Sequence, residues 1–175
     1  MSAGTGGTTA TIGRYLRYIR CDTQLFCVDV ENSVFHACVA QNRRDLTIKK
    51  GSRIEGIGRP RFEPSFIPEV VDRIECVPDA ASLATMRALS RHLGRRVGGS
   101  TGTNFWGVCL IAAEMAARSE EGSIVSLICD SGERYANTYY DDAWIKAQGF
   151  DLQPCENAVQ HLLDHGTWPE GGPPK

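Results

Sequence analysis

The sequence predicts an α/β protein in which helices cover a central sheet. Short apolar segments alternate with helical patterns, glycine-rich turns separate them, and one apolar run over residues 122–130, "GSIVSLICD", is continuous. A continuous apolar run is typical of a parallel strand that is buried on both faces. Residues 122–130 are therefore predicted to form the central strand of the sheet.

The first half of the chain is predicted to contain a helix and two strands. Apolar residues recur at helical spacing over residues 9–20. The runs 24–30, "QLFCVDV", and 73–78, "RIECVP", are rich in β-forming residues and predict short strands. Between them a short helix is expected to begin in "SVFHACVAQNRR", and the glycines and prolines of residues 51–68 predict a loop.

The second half is predicted to be mainly helical. Asp79 is a candidate N-cap for a helix over residues 80–94 that ends at a glycine. Residues 104–119 are apolar on almost every side, which predicts a buried helix. Shorter helices are expected in "DDAWIKAQGF" and over residues 155–165, and the Gly- and Pro-rich tail after them is expected to be disordered.

Composition favours one globular domain and argues against several classes of partner. The chain has 175 residues, of which 42% are hydrophobic and 23% are charged. Its net charge of −2 gives no electrostatic support for binding nucleic acid or an anionic membrane. No apolar run approaches the roughly 20 residues of a membrane span. The seven cysteines, an odd number, and the lack of a secretory signal pattern predict a cytoplasmic protein with reduced thiols.

A glycine- and threonine-rich loop at residues 4–8, "GTGGT", directly precedes the first predicted helix. Glycines allow backbone N–H groups to turn inward, and threonine hydroxyls add further donors. The positive end of the helix dipole points to the same place, so the loop has the chemistry to hold a phosphate monoester. A flexible terminus is the alternative. A strand normally precedes such a loop, and here almost no sequence precedes it.

Two further small-residue turns follow strand-like segments. "VGGSTGTN" contains Ser100 and precedes a helical pattern, and "ICDSGERY" contains Asp130 at the end of the run 122–130. Ligands of α/β proteins bind at the carboxyl ends of strands. The three turns are therefore predicted to converge on one face of one sheet, and a pattern that arises from chance or plain architecture is the alternative.

Four motifs in order resemble the C-terminal half of the cysteine synthase/cystathionine β-synthase family, whose members are fold-type II pyridoxal phosphate (PLP) enzymes. They are "GTGGT", "EGIG…FIPEVVD", "VGGSTGTN" and "CDSGERY…TYYDDAWIKAQGF". The resemblance implies a three-layer, mostly parallel sheet with helices on both faces, similar to tryptophan synthase β and truncated on its N-terminal side. It implies that residues 1–150 are part of the large PLP domain and that residues 151–175 are a C-terminal helix with a disordered tail. The link "GIGRPRFEPSFIP" resembles that of the L-cysteine desulfhydrase-like branch.

The resemblance also implies contacts with PLP for individual residues. The residues that match the phosphate-binding loop are Gly4, Thr5, Gly6, Gly7 and Thr8. Ser100 matches the serine that meets the pyridine nitrogen, Asp130 lies in a segment that flanks the ring, and Gly56 and Gly58 match a loop on the substrate side. A neutral hydroxyl leaves the ring nitrogen largely unprotonated. This suits β-elimination or β-replacement on a small amino acid, L-cysteine or an O-activated serine.

The family's Schiff-base lysine has no match in this sequence. Family members carry it before the GTGGT position, whereas the four lysines, Lys49, Lys50, Lys146 and Lys175, lie in other contexts. Because that lysine also moves the proton at the substrate α-carbon, the chain alone is predicted to be catalytically impaired. Two hypotheses remain open: an incomplete PLP lyase or synthase, and a non-catalytic PLP-binding or regulatory module. Either would form a homo-oligomer or pair with a full-length paralogue.

Two other residue pairs have weaker functional patterns. His161 and His165 have a spacing that can bind metal, but no third ligand is evident, so no metal site is predicted. Arg59 and Arg61 could contact an anionic substrate, or they could lie in a solvated loop.

Overall fold

The computed structural model describes residues 1–174. The elements are, in chain order, α1 (Gly7–Tyr18), β1 (Phe26–Val30), α2 (Phe35–Ala40), β2 (Arg73–Val77), α3 (Asp79–Leu93), α4 (Gly99–Ala117), α5 (Asp142–Ala147) and α6 (Gln153–His165). Short 3₁₀ turns cover Pro68–Val70 and Gly132–Tyr135. The chain divides into two compact units, the first ending at Val77 and the second beginning at Pro78. None of the helices within residues 1–174 combines the length and apolar character needed to cross a membrane.

The first unit is built on a parallel pair of strands. β1 and β2 pair with Val28 opposite Glu75, and four of the five residues of β1 are buried. Parallel strands need a crossover connection, which α2 and the loop that follows it supply. This confirms the two predicted strands and the parallel α/β character of the fold.

Residues Met1–Ala3 lie along the other edge of β1 and correct one expectation. Ser2 forms a parallel bridge with Val28, and the Val28 N–H donates to the Met1 carbonyl at 2.9 Å. The α-amino group of Met1 donates to the Phe26 carbonyl at 2.8 Å. The GTGGT loop therefore does follow a short strand-like segment, because β1 offers these residues free backbone partners.

α1 is held by its small residues rather than by its apolar ones. Thr9, Ala10 and Gly13 are its buried residues, and a Cβ on Gly13 would lie 2.6 Å from the Val70 side chain. The 3₁₀ turn at Pro68–Val70 thus approaches so closely that larger side chains cannot face it. Ile19, predicted on the apolar face, lies just beyond the helix and is 46% exposed.

The second unit is built from helices α3, α4 and α6, with α3 packed against both of the others. Gly94, with φ 65°, ends α3 as predicted, but Pro78 rather than Asp79 occupies the N-cap position. α4 begins at Gly99 rather than at residue 104, because its first turns are small enough to lie against α3. A Cβ on Gly102 would be only 2.0 Å from the Ser82 carbonyl oxygen. The second half of α4 is only partly buried, contrary to the prediction.

Residues 122–130, the predicted central strand, do not form a strand. Within the described part of the second unit, residues 78–174, there is no strand for them to pair with. Val125 is 91% exposed, and Leu127 and Ile128 are also exposed. An extended backbone forms a strand only when a neighbour accepts its hydrogen bonds. The prediction of a doubly covered parallel strand is therefore wrong for the described chain.

The last elements follow the sequence pattern closely. The Asp141 carboxylate caps α5 by accepting from the Ala143 N–H at 2.8 Å, and α6 covers the amphipathic segment predicted over residues 155–165. Beyond α6, the Trp168 ring packs on Trp106 with centroids 5.0 Å apart. Lys175 lies outside the described residues.

Candidate functional site

The GTGGT loop ends at an uncapped helix N-terminus. Gly6 is the N-cap of α1, its φ of 88° lies in the left-handed region, and no side chain caps the helix. The Ala10 N–H is bonded to the Gly6 carbonyl at 2.8 Å. The preceding N–H groups, from Gly7 to Thr9, therefore have no helical acceptor. Free N–H groups at the positive end of a helix dipole are suited to binding an anion.

Three threonines add hydroxyl groups to this helix terminus. Thr5 and Thr8, both predicted as site residues, are exposed. Thr9 was not predicted, yet it is only 1% exposed and its Oγ1 has no hydrogen-bond partner among residues 1–174. The threonine pair at the start of a predicted helix is the sequence pattern that would have drawn attention to it, because hydroxyls are common at helix N-termini.

The turn that contains Gly56 and Gly58 packs against the GTGGT loop. The Gly58 N–H donates to the Ala3 carbonyl at 2.9 Å, and a Cβ on Gly4 would lie 2.6 Å from the Gly56 carbonyl oxygen. Gly56 and Gly58 have φ values of 87° and 72°, which favour glycine. The structure thus brings together two motifs that are about 50 residues apart in the sequence.

Arg59 and Arg61, which were predicted as a pair, occupy different environments. The Arg59 Nη1 donates to the Gly58 carbonyl at 2.8 Å, and its Nη2 lies 3.9 Å from where a Cβ of Gly4 would be. The Arg61 side chain is 73% exposed. Both guanidinium groups lie near the Glu63 carboxylate, with Nε–Oε1 distances of 3.9 Å for Arg59 and 3.4 Å for Arg61. Arg59 therefore lies beside the GTGGT loop with its charge partly balanced by Glu63, whereas Arg61 lies in a solvated part of its own loop.

In the second unit, the other two small-residue turns are joined to each other. Val97 and Ser131 form an antiparallel bridge, and the Gly98 N–H donates to the Asp130 carbonyl at 3.2 Å. A Cβ on Gly98 would lie 1.7 Å from the Asp130 Oδ1, so any larger residue here would displace the Asp130 carboxylate. Gly98 was not predicted as a site residue, although it belongs to the Gly-Gly pair of "VGGSTGTN".

Ser100 is the second residue of α4 rather than part of a turn. Its side chain is buried, at 6% exposure, and its hydroxyl makes no hydrogen bond to any residue that the structure describes. Asp130 accepts a hydrogen bond at Oδ2 from the Tyr135 hydroxyl, at 2.9 Å. Its buried Oδ1 has no partner within residues 1–174. The convergence of all three turns on one site stays a prediction.

Some shifted pKa values belong to core groups and others to exposed groups such as the Arg43–Asp45 pair, and these groups lie outside the loops described above. Burial raises the pKa of Cys27 to about 12 and also raises the pKa of Asp29, whose Oδ2 accepts from the His36 N–H at 2.8 Å. His161 and His165 have ring centroids 4.5 Å apart. Groups of three or more metal-ligating side chains do not occur in the described part of the chain. The loops described above offer backbone N–H groups and threonine or serine hydroxyls as hydrogen-bond donors.

Comparisons with known proteins identify the class to which these loops belong. Residues 1–130 match the family described as "Pyridoxal-phosphate dependent enzyme". The fold is similar to the crystal structure of O-ureido-L-serine synthase, with a TM-score of 0.63 and 23% identity over 83% of this chain and 45% of that chain. The chain belongs to the PLP-dependent enzyme family and has the fold-type II architecture, which confirms the resemblance found in the sequence.

Two relatives are similar in sequence over most of this chain. L-cysteine desulfhydrase Cds1 of Mycobacterium tuberculosis is 58% identical over 151 residues, which cover 86% of this chain and 41% of the relative. Cystathionine β-synthase of Saccharomyces cerevisiae is 32% identical over 149 residues, covering 82% of this chain and 28% of the relative. The chain thus spans less than half the length of these curated relatives.

Proposed function

We propose that this chain supplies the cofactor-binding loops of a PLP-dependent protein that acts on L-cysteine or an O-activated serine by β-elimination or β-replacement. The observation that carries the proposal is the uncapped N-terminus of α1, with the GTGGT loop packed against the Gly56–Gly58 turn. The names of the relatives, L-cysteine desulfhydrase and cystathionine β-synthase, support this substrate class. In this proposal residues 1–150 are the PLP-family portion, and the seven free cysteines fit a cytoplasmic protein.

The residues at the GTGGT loop fit a phosphate monoester. The first-turn N–H groups of α1 lack helical acceptors, the Thr9 hydroxyl has no partner among the described residues, and the Arg59 guanidinium lies beside Gly4. The side of the loop at Gly7 is open, since a Cβ built there would meet only the Thr5 Oγ1, at 3.9 Å. Backbone N–H groups, hydroxyls and the helix dipole would together hold the dianion.

Ser100 is proposed to hydrogen-bond the pyridine nitrogen. Ser100 is a buried residue whose hydroxyl makes no hydrogen bond within residues 1–174, so this hydroxyl is available to a ligand. A neutral hydroxyl does not hold a proton on the nitrogen as a carboxylate would. Bound PLP supplies the electron-accepting ring that the loss of a β-substituent requires. Asp130, through its bond to Tyr135, would keep the adjacent turn in place.

The described lysines are not placed for covalent or proton-transfer chemistry. Lys49, Lys50 and Lys146 are all exposed, whereas a catalytic lysine is tuned by desolvation or by a neighbouring charge. We therefore expect these 175 residues by themselves to bind PLP without covalent attachment and to release little sulfide from cysteine. Borohydride treatment followed by mass spectrometry tests this, and fixation of PLP on a lysine would contradict it.

The Gly7→Asp variant tests the phosphate site directly. Its carboxylate would lie at the open side of the loop and repel the phosphate, so the affinity for PLP should fall about tenfold or more. Gly7→Asn, of the same shape and without charge, is the matched control and should stay within about threefold of the wild type. Binding of pyridoxal, which lacks the phosphate, should be equal in both variants. Equal affinities of the two variants for PLP would show that the phosphate does not bind here.

The second candidate function, a module that pairs with a full-length paralogue, is favoured by the exposed apolar residues 122–130. Val125 and Ile128 are exposed, and their backbone lies in no sheet of the described chain. Such a segment can add to the edge of a partner's sheet. Hydrogen exchange, described in the Discussion, tests this candidate.

A further inference from the structure

The C-terminal end of α3 carries a concentration of arginine that PLP binding does not use. Arg87, Arg91, Arg95 and Arg96 lie within ten residues of each other in a chain whose net charge is −2. Arg87 and Arg91 are four residues apart on α3, and like charges at this spacing destabilise a helix. The dipole at a helix C-terminus favours cations in the last turn, but Arg95 and Arg96 follow the C-cap, Gly94.

These arginines line an open groove of about 470 Å³ in the second unit. Two carboxylates, Glu133 and Asp142, also line it, so four arginines against two acids leave the groove positive. Its size lies within the usual range for small-ligand pockets, roughly 300–1,000 Å³. The groove is therefore large enough for a small anionic molecule and has the charge to attract one.

The floor of the groove is fixed by hydrogen bonds. The Tyr140 hydroxyl lies 2.6 Å from the Ser90 Oγ, donates to the Val97 carbonyl at 2.7 Å and accepts from the Val97 N–H at 3.0 Å. The Arg96 guanidinium lies over the Tyr140 ring, 5.2 Å from its centroid. A binding surface whose side chains are already held in place loses less entropy when a ligand binds.

The two carboxylates leave much of the hydrogen-bond donor capacity of the four arginines unused. Arg87 donates through Nε to the Tyr139 carbonyl at 2.9 Å and through Nη1 to Asp142 at 2.6 Å. Its Nη2 is buried and has no partner within residues 1–174. Arg96 pairs with Glu133 at 3.1 Å. Arg91 and Arg95 form no ion pair among the residues that the structure describes.

We propose that this groove is a second anion site, which binds the phosphate group of a small organic phosphate or free inorganic phosphate. Guanidinium groups bind phosphate oxygens in pairs of parallel hydrogen bonds. The unpaired Arg91 and Arg95 match the charge of one dianion. The groove is separate from the GTGGT loop in sequence, and the inference does not depend on the proposed function.

The test is calorimetric titration of the full chain carrying Gly7→Asp, a substitution that is expected to weaken any phosphate binding at the GTGGT loop. The probes are inorganic phosphate, adenosine monophosphate, adenosine and citrate. Both phosphate probes should bind, and adenosine should not. Tighter binding of the nucleotide indicates an organic phosphate as the ligand, and equal binding indicates free phosphate. No binding of either phosphate, or tighter binding of citrate than of both, would overturn the proposal.

A double variant locates the site. Arg91→Gln with Arg95→Gln should weaken phosphate binding by about tenfold or more, while the circular dichroism spectrum should not change because both side chains are exposed. Arg14→Gln with Arg20→Gln removes the same charge from exposed positions in the first unit and should leave binding within about twofold. Equal losses in the two double variants would mean that only the general charge of the protein attracts the anion.

Discussion

Two apolar segments of similar composition differ in structure: one forms a buried strand, and the other is exposed and forms no strand. β1, "FCVDV", is paired and almost fully buried. Residues 122–130, "GSIVSLICD", are more continuously apolar, yet they form no strand in the described chain, and Val125 is 91% exposed. The β-propensity of the residues therefore did not decide which of the two segments forms a strand.

The difference lies in the available backbone partners. β1 has β2 on one side and residues Met1–Ala3 on the other. Residues 122–130 have side-chain contacts instead: the Asn104 amide donates to the Leu127 carbonyl at 3.2 Å, and the Thr101 Oγ1 accepts from the Cys129 N–H at 3.0 Å. β-propensity describes how well a residue fits a sheet that already exists.

Hydrogen exchange should give the largest contrast between the two segments. The Val28 amide, bonded to the Met1 carbonyl and buried in a paired strand, should exchange more slowly than the amides of residues 124–128 by a factor on the order of 10² or more. The Cys129 amide, bonded to Thr101, is an internal control and should be slower than its neighbours. Equal protection of Val28 and Val125 would contradict the comparison.

The same measurement tests the second candidate function. If residues 122–130 add to a partner's sheet, their amides should become protected when a full-length paralogue is mixed with the chain. Protection that does not change in the mixture would exclude pairing through this segment.

A matched pair of substitutions should show the next largest effect. Val28→Ala removes two methyl groups at a position that is 1% exposed and should lower the free energy of unfolding by roughly 2 kcal/mol. Val125→Ala, the same chemical change at an exposed position, should alter it by about 0.5 kcal/mol or less. Urea unfolding of the two variants provides the measurement, and a larger loss at Val125 would show that segment 122–130 is packed in solution.

The thiol of β1 should have the smallest of these effects on the free energy of unfolding. Burial raises the pKa of Cys27 in β1 to about 12, above the unfolded value, so its contribution to stability is complete below about pH 9 and is lost as the pH rises toward 12. At about pH 10 the loss should be near 1 kcal/mol. Cys27→Ala should reduce the fall in unfolding free energy between about pH 8 and pH 10, whereas Val28→Ala, a change in the same strand that removes no thiol, should leave this fall unchanged. If the unfolding free energy of the Cys27→Ala variant fell as much as that of the wild type over this pH range, the burial of this thiol would be contradicted.

Local patterns predicted most of the helices and the identity of the loops. Gly94 ends α3 and the GTGGT loop opens α1 as predicted, because glycine conformation depends on a few adjacent residues. The predicted N-cap of α3, Asp79, is instead the first residue of the helix. The contacts between the loops of the candidate site could not be predicted in the same way. The packing of Gly4 on Gly56, and of Gly98 on Asp130, joins residues that are distant in sequence. The unpartnered hydroxyl of Thr9 is visible only after α1 has been packed.

The sequence by itself determined the α/β class, the family and the donor groups of the GTGGT loop, since each depends on short motifs and on helical periodicity. Only the tertiary structure decided that Met1–Ala3 pair with β1, that Ser100 lies inside α4, and that residues 122–130 remain exposed. The physical reason is that a helix forms its hydrogen bonds within one segment. A strand forms them with another segment, and no property of the strand alone can supply that partner.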